Sequence, residues 1–370
     1  MVVKGKWGSA ACAVALTAVT VLAAGCSSSS GGSGASGADL VAETLPTNYG
    51  PAETTTLNVG VVPAMDSAGF FVAQNEGLFA KEGLKINYTP ATSSETAIQQ
   101  QLKAQLQISA GNYVSYIEAA EKGDPLEVIS EGSVMQQGAQ TIFVMPSSHI
   151  TSLSQLKGKL IGVNAPSNID YLLDVSVLRE NGINPKDVTF PNGKDKASAQ
   201  FNDGGAIPFP LMASLLQSGK IAAATLPEPF ASLAEQGDGA VPLADLNQGA
   251  TTDFPIEGYV VTKAWAAQNK YTLQRFLAAL SAGQEIADTD RAAVEKAFED
   301  LPSPPKGQVP PKIAAVMALD TYPIGIDQTR LQRVANVMFQ FGLLPNAYNV
   351  SNMLLPSSAF NFSPFSASES

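Results

Sequence analysis

Apolar residues change their spacing in a regular way from Thr56 onward. Leu57-Asn58-Val59-Gly60-Val61-Val62 alternates with period two and breaks at Pro63, which predicts a strand. Ala68 to Asn75 carries Phe70, Phe71 and Ala73 on one side, so a helix follows, and Gly77 and Gly83 stop two short helical pieces around Leu78-Phe79. Lys85 to Tyr88 reads as the next strand. In Thr92-Ser93-Ser94-Glu95 a hydroxyl precedes an acid by three positions, and Ile98, Leu102 and Leu106 recur every four. That spacing predicts a capping box opening a helix. Ile108–Ala110, Leu126–Ser130 and Thr141–Val144 are expected strands, with a helix over Tyr113–Glu121.

After Pro146 the same grammar restarts. Leu160–Val163 predicts a strand, Asn164–Asn168 a loop, and Ile169–Glu180 a helix ended by Asn181-Gly182. LKAQLQISAG (102–111) is echoed by LLQSGKIAAAT (215–225), each a helix end running into a buried strand. A further strand over Ile221–Thr225 leads to Pro229, which suits the first turn of a helix ending at Gly237. Beyond Tyr259-Val260-Val261 the pattern is helical, over 264–268, 271–288, 291–297, 311–319 and 328–341. Two α/β units in series, with late helices packed onto them, are the expected class.

The N-terminal segment follows a different logic. Lys4 and Lys6 precede an Ala- and Val-rich stretch from Trp7 to Ala24, the form of a secretory signal. It ends in Leu22-Ala23-Ala24-Gly25-Cys26, which resembles a bacterial lipobox, implying that Cys26 is lipidated and begins the mature chain. A transmembrane anchor is the alternative, but no basic residues follow to stop transfer. The run SSSSGGSGASGA (27–38) then gives a tether with a reach of roughly 20 Å.

Charge and composition narrow the function. The chain of 370 residues holds 33 acids and 22 bases, a formal −11; removal of residues 1–25 leaves −13. Nucleic acid is excluded as a partner because no basic stripe offers to displace phosphate counterions. His149 is the single histidine, and both cysteines, Cys12 and Cys26, lie at the N-terminus, so a disulfide framework has no material. No P-loop, H-E-x-x-H or G-x-S-x-G pattern occurs, which argues against an enzyme, and no cofactor is implied.

Five segments carry a resemblance: LNVGVVPAMDSAGFFVAQNEGLFAKEGL (57–84), SLSQLKGKLIGV (152–163), LRENGINPKDVTF (178–190), SGKIAAATLPEPF (218–230) and GLLP (342–345). In this order they resemble the solute-binding proteins of ABC importers, in the branch of alkanesulfonate, taurine, nitrate and thiamine-pyrimidine-precursor binders. The resemblance implies a two-lobed, type II periplasmic-binding-protein-like α/β fold, each lobe a sheet flanked by helices, joined by two crossing strands. Residues 1–25 would be the signal peptide, 26–55 the lipidated cysteine and tether, 56–142 plus 260–345 lobe one, 147–256 lobe two, and 346–370 a tail. The crossings are expected near Thr141–Met145 and Glu257–Val261. The family's Gly-x-hydrophobic-Asp link is absent, since Leu106–Ser109 and Gly219–Ala222 lack the aspartate, and 191–210 is longer than its counterpart.

In such folds ligands sit at the carboxyl ends of strands. That places Met65 and Asp66 after the first strand, Ser93 and Ser94 at the capping box, and Asn112 and Tyr113 at the next turn. Lobe two supplies Asn164, Ser167, Asn168 and Tyr171, then Glu228, and Glu257 on the return. Each has a structural alternative: Thr92, Ser93, Asp66, Ser167 and Asn168 as helix caps, Glu228 as a dipole partner, the tyrosines as core. The set holds three acids and no base, whereas anion sites recruit arginine. The expected ligand is therefore a neutral or cationic nitrogenous small molecule such as a pyrimidine precursor, with an alkanesulfonate, taurine or nitrate-type oxyanion held at helix N-termini as the alternative. The resemblance further implies a monomer on the outer face of the bacterial cytoplasmic membrane, with an ABC permease and its ATPase subunit as partners; a surface interaction protein or sensor is the remaining class.

Overall fold

The computed structural model describes residues 50–166, 168–191, 206–301 and 309–355. The expected signal peptide, Cys26, Ser167, most of 191–210 and the tail beyond 355 lie outside the described residues. Nine strands form two sheets: β1 (Thr56–Val61), β2 (Lys85–Pro90), β3 (Ile108–Asn112), β4 (Leu126–Val134), β5 (Gln140–Val144), β6 (Ile161–Gly162), β7 (Ala223–Pro227), β8 (Val241–Asp245) and β9 (Pro255–Thr262). One sheet has the order β2-β1-β3-β9-β4 and the other β6-β7-β5-β8. β1 runs parallel to β2 and β3, while β9 is antiparallel to β3 and β4.

The chain changes sheet at 135–139 and at 246–254. The crossings expected at Thr141–Met145 and Glu257–Val261 are instead strand interiors. β4 stays paired with β9 as far as Val134 opposite Pro255, and β5 pairs only with β7 and β8. β8, alternating weakly and partly exposed, carries little sequence signal of its own.

The first sheet buries Leu57, Val59, Ile108 and Tyr259 against the helices Ala68–Asn75, Lys270–Thr289 and Arg291–Glu299. Two glycines let the first pair cross closely: a Cβ on Gly283 would lie 2.4 Å from the Gly69 carbonyl oxygen. This crossing fixes the helix that starts directly after the turn carrying Asp66. A third apolar cluster joins Val62, Ala64, Ala91 and Ala97 from the first half to Phe143, Phe209, Leu226 and Ala231 from the second. The two sheets therefore share buried apolar contacts as well as two connections.

Local sequence signals hold with some shifts. Helix Phe230–Asp238 passes Gly237 and stops at Gly239, which supplies the left-handed C-cap at φ 73°. The helix expected over 311–319 ends at Ala314. Its later carbonyls are taken by the Arg291 guanidinium, 2.9 Å from both Ala315 O and Met317 O, so the segment satisfies its backbone without continuing as helix.

Candidate functional site

Strand ends from both sheets face each other across a narrow cleft of about 20 Å³. Its walls are Val62, Asp66, Ser94, Asn112, Gln140, Asn164, Asn168, Ile169, Asp170, Phe209 and Glu257. Six expected residues, Asp66, Ser94, Asn112, Asn164, Asn168 and Glu257, thus meet at one place. Topology explains the meeting: β1, β3 and β6 end there, and antiparallel β5 and β9 begin there, with Asn112 directly opposite Glu257.

Helix caps set the polar wall. Asn112 Oδ1 accepts from Ser115 N at 2.9 Å and Asn168 Oδ1 from Tyr171 N at 3.3 Å, each capping its helix. The capping box expected at Thr92 and Glu95 is displaced by one residue, because Ser93 adopts the extended N-cap conformation and accepts from Thr96 N at 3.3 Å. Glu95 instead accepts from the Ser115 hydroxyl. Ser94 is thereby released to face Asn112, whose N and Nδ2 reach its Oγ at 2.9 and 2.8 Å. Glycine at 111 permits this approach, since a Cβ there would lie 2.5 Å from Ser94 Oγ.

Other expected residues are spent elsewhere. Met65 is buried in the first core; its N donates to Glu228 O at 2.8 Å and its carbonyl accepts from the Tyr322 hydroxyl at 3.1 Å. The Glu228 carboxylate accepts from Ser232 N, Ser232 Oγ and Ala318 N at 3.0, 2.8 and 3.2 Å, so it ties two segments together beside the cleft. Tyr113 is fully buried with its hydroxyl unpartnered. Tyr171 packs edge-on against Phe190 with centroids 4.9 Å apart.

Gln140, Asp170, Phe209, Val62 and Ile169 were missed from the sequence, as was Asp320, whose carboxyl reaches Asp66 from behind the wall. One signal could have found Asp170: it and Asp174, one turn on, share a helix whose other positions are largely buried and apolar. Asp174 is held by Thr225 Oγ1 at 2.7 and 2.8 Å and does not line the cleft.

The carboxyls here bind protons unusually well. Burial raises Asp66 from 3.8 to about 6, against its hydrogen bonds, and raises Asp170 from 3.8 to about 7 despite the N–H of Asn164. Burial, followed by the neighbouring Asp66 charge, pushes Glu257 and Asp320 well above the carboxylate range. Glu257 accepts from Ser67 Oγ at 2.5 Å. Among the described residues no lysine or arginine lines the space. Among the described residues no group of His, Cys, Asp and Glu has the arrangement of a metal site.

Two sheets with a cleft at their strand ends define a periplasmic-binding-protein fold. The alkanesulfonate-binding protein SsuA of Xanthomonas axonopodis pv. citri, solved with MOPS, is similar at TM-score 0.67 and 17% identity over 82% of this chain and 99% of that one. The nitrate-binding protein NrtA of Synechocystis PCC 6803 is similar at TM-score 0.62 and 14% identity, over 80% and 84%. The chain belongs to the NMT1/THI5-like family, whose model matches residues 64–290. A Haemophilus influenzae protein named for thiamine biosynthesis is 32% identical over 131 residues, 34% of this chain and 40% of that protein. The match thus spans less than half of that relative's length.

The raised carboxyls set a sign for pH. A folded chain that holds these protons more tightly than the unfolded one gains its full stabilisation below the ordinary 3.8 and loses it as pH rises through about 6 and 7. Thermal unfolding of the ligand-free protein is expected to shift downward between pH values of about 5 and about 8. Asp170→Asn removes roughly 3 kcal/mol of that dependence. Unfolding temperatures that rise over this range, or a slope unchanged in the variant, contradict the assignment.

Proposed function

We propose that this chain is an extracytoplasmic solute-binding lipoprotein of an ABC importer, which captures a small neutral or cationic nitrogenous molecule and delivers it to a permease. The observation that carries the proposal is a cleft between two sheets walled by Asp66, Asp170 and Glu257, with no basic side chain among the described residues of its lining. Lobe one would be 56–142 plus 260–345 and lobe two 147–256, adjusted to the sheet changes at 135–139 and 246–254. Ligand bridging both lobes favours the closed form, and only that form docks productively. ATP hydrolysis takes place on a separate subunit, and the chain itself is not an enzyme. Family membership and the relative named for thiamine biosynthesis support a heterocycle such as a pyrimidine precursor.

A second reading, an oxyanion ligand, draws on the neighbours named for alkanesulfonate and nitrate binding. The N-termini of helices Ser94–Leu102, Tyr113–Glu121 and Ile169–Glu180 lie at the cleft, where backbone N–H groups favour anions. The buried carboxyls oppose it, since an anion placed among them meets like charge.

Thermal unfolding with pyrimidines, flavins, polyamines, taurine, alkanesulfonates and nitrate discriminates these readings. A true ligand at one hundred times its Kd adds about 2.7 kcal/mol to the unfolding free energy. Stabilisation is expected from nitrogenous compounds; stabilisation by oxyanions alone favours the second reading, and none from any class counts against both. The lipid anchor has its own test: Cys26→Ser is expected to move the protein from the membrane to the soluble fraction, and unchanged membrane association would refute lipidation at Cys26.

A further inference from the structure

We propose that Asp170 Oδ1 and Gln140 Oε1 form an acceptor edge that selects a small planar cation of the guanidinium, amidinium or aminoheterocycle class through two of its N–H groups. The inference rests on the solute-binding proposal and names both the class of solute and the residues that choose it.

Hydrogen-bond accounting around the cleft is one-sided. The amide donors of the lining are committed to protein: Asn112 Nδ2 to Ser94 Oγ at 2.8 Å, Asn164 Nδ2 to Thr92 O at 3.0 Å, the Asn168 side chain to the Asp170 carboxyl and the Gln140 side chain to Asp66. The acceptors are not. Asp170 and Gln140 are each only 1% exposed and line the cleft, yet Asp170 Oδ1 and Gln140 Oε1 have no hydrogen-bond partner. Asp320 Oδ2, behind Asp66, has none either. Buried polar atoms are almost always paired, so unmet acceptors at a cleft call for a donor from outside. Asp170 Oδ2 already accepts from Asn164 N at 2.9 Å, which orients the carboxyl and leaves its other oxygen unused.

Charge and shape agree. Asp66 and Glu95 face Asp170, Asp174 lies one turn along its helix, and Glu257 and Asp320 face Asp66. Among the described residues no basic side chain lines the cleft, so a cationic ligand would supply the charge that lets these carboxyls ionise. Val62, Ile169 and Phe209 supply apolar walls, and Phe209 is held in place by stacking on Phe230, centroids 5.3 Å apart. Apolar walls beside a row of acceptors suit a flat cation, whose faces are weakly hydrated and whose edge carries its N–H groups.

Guanidinium and nitrate share a flat, three-armed shape and have opposite charge and hydrogen-bond sense, so calorimetric titration of the full chain in detergent with each ion tests the inference. Guanidinium is expected to bind saturably and nitrate not to bind. Guanidinium affinity should rise at least tenfold between pH values of about 5.5 and about 8, as the cleft carboxyls give up their protons. Asp170→Asn keeps an acceptor for Asn164 N but turns the free oxygen into an NH₂ donor; it should weaken guanidinium at least tenfold and admit nitrate. Gln140→Met, similar in shape without the acceptor, should also weaken guanidinium, while Asp174→Asn, outside the cleft, should leave it unchanged. Nitrate binding as tightly as guanidinium, no guanidinium binding at any pH, or Asp174→Asn matching Asp170→Asn would overturn the inference. Nitrate binding with guanidinium silent would overturn it while leaving a solute-binding protein in place, whereas failure of every compound in the broader thermal series would remove that proposal itself.

Discussion

Carboxyl groups buried without a cation hold their protons, and four of them, Asp66, Asp170, Glu257 and Asp320, gather where the two sheets meet. Such a cluster is costly to ionise. Everything else at the cleft follows from how the chain brings these acids together. Three strand ends and two strand starts converge there, and with Ser94 and Phe209, residues from seven stretches of sequence share one wall.

Rigid packing holds that wall in place. The Gly69–Gly283 contact locks the helix after the Asp66 turn onto the long helix Lys270–Thr289. Helix caps at Ser93, Asn112 and Asn168 fix three helix entries. Between the two sheets, Asn164 Nδ2 reaches Thr92 O, Met65 N reaches Glu228 O, and Phe209 packs in the same apolar cluster as Val62. A larger apolar cluster also spans both sheets, joining Ile117, Val128 and Val260 to Ile142, Ile161 and Leu172, while the first sheet has a second core of its own.

Much of this was legible in the sequence because it is written in local signals. Period-two and period-four patterns set β1 and the helices Ser94–Leu102 and Ile169–Glu180; within the fold the resemblance implied, strand ends picked out Asp66, Asn112 and Asn164, a helix start Asn168, and the return of the chain Glu257. What escaped is non-local. Asp320 reaches Asp66 across more than half the chain, and Gln140 opens a strand whose pairing decides which way it faces. Phe209 sits at the end of a segment without periodicity. Glu228 showed the opposite error: its strand-end position was read correctly, but three donors from its own neighbourhood and from Ala318 consume its oxygens. The cap misplaced by one residue at Thr92–Glu95 reflects adjacent hydroxyl residues: only Thr92 has an acid three positions on, yet Ser93 takes the N-cap conformation.

The central claim is that a cationic ligand bridges the two lobes at the acidic cleft and draws them together. Small-angle scattering of the protein, with and without a nitrogenous compound that raises its unfolding temperature, tests this most directly. The radius of gyration should fall on binding and should fall less, or not at all, in Asp170→Asn. A ligand that binds and stabilises without any contraction would contradict it.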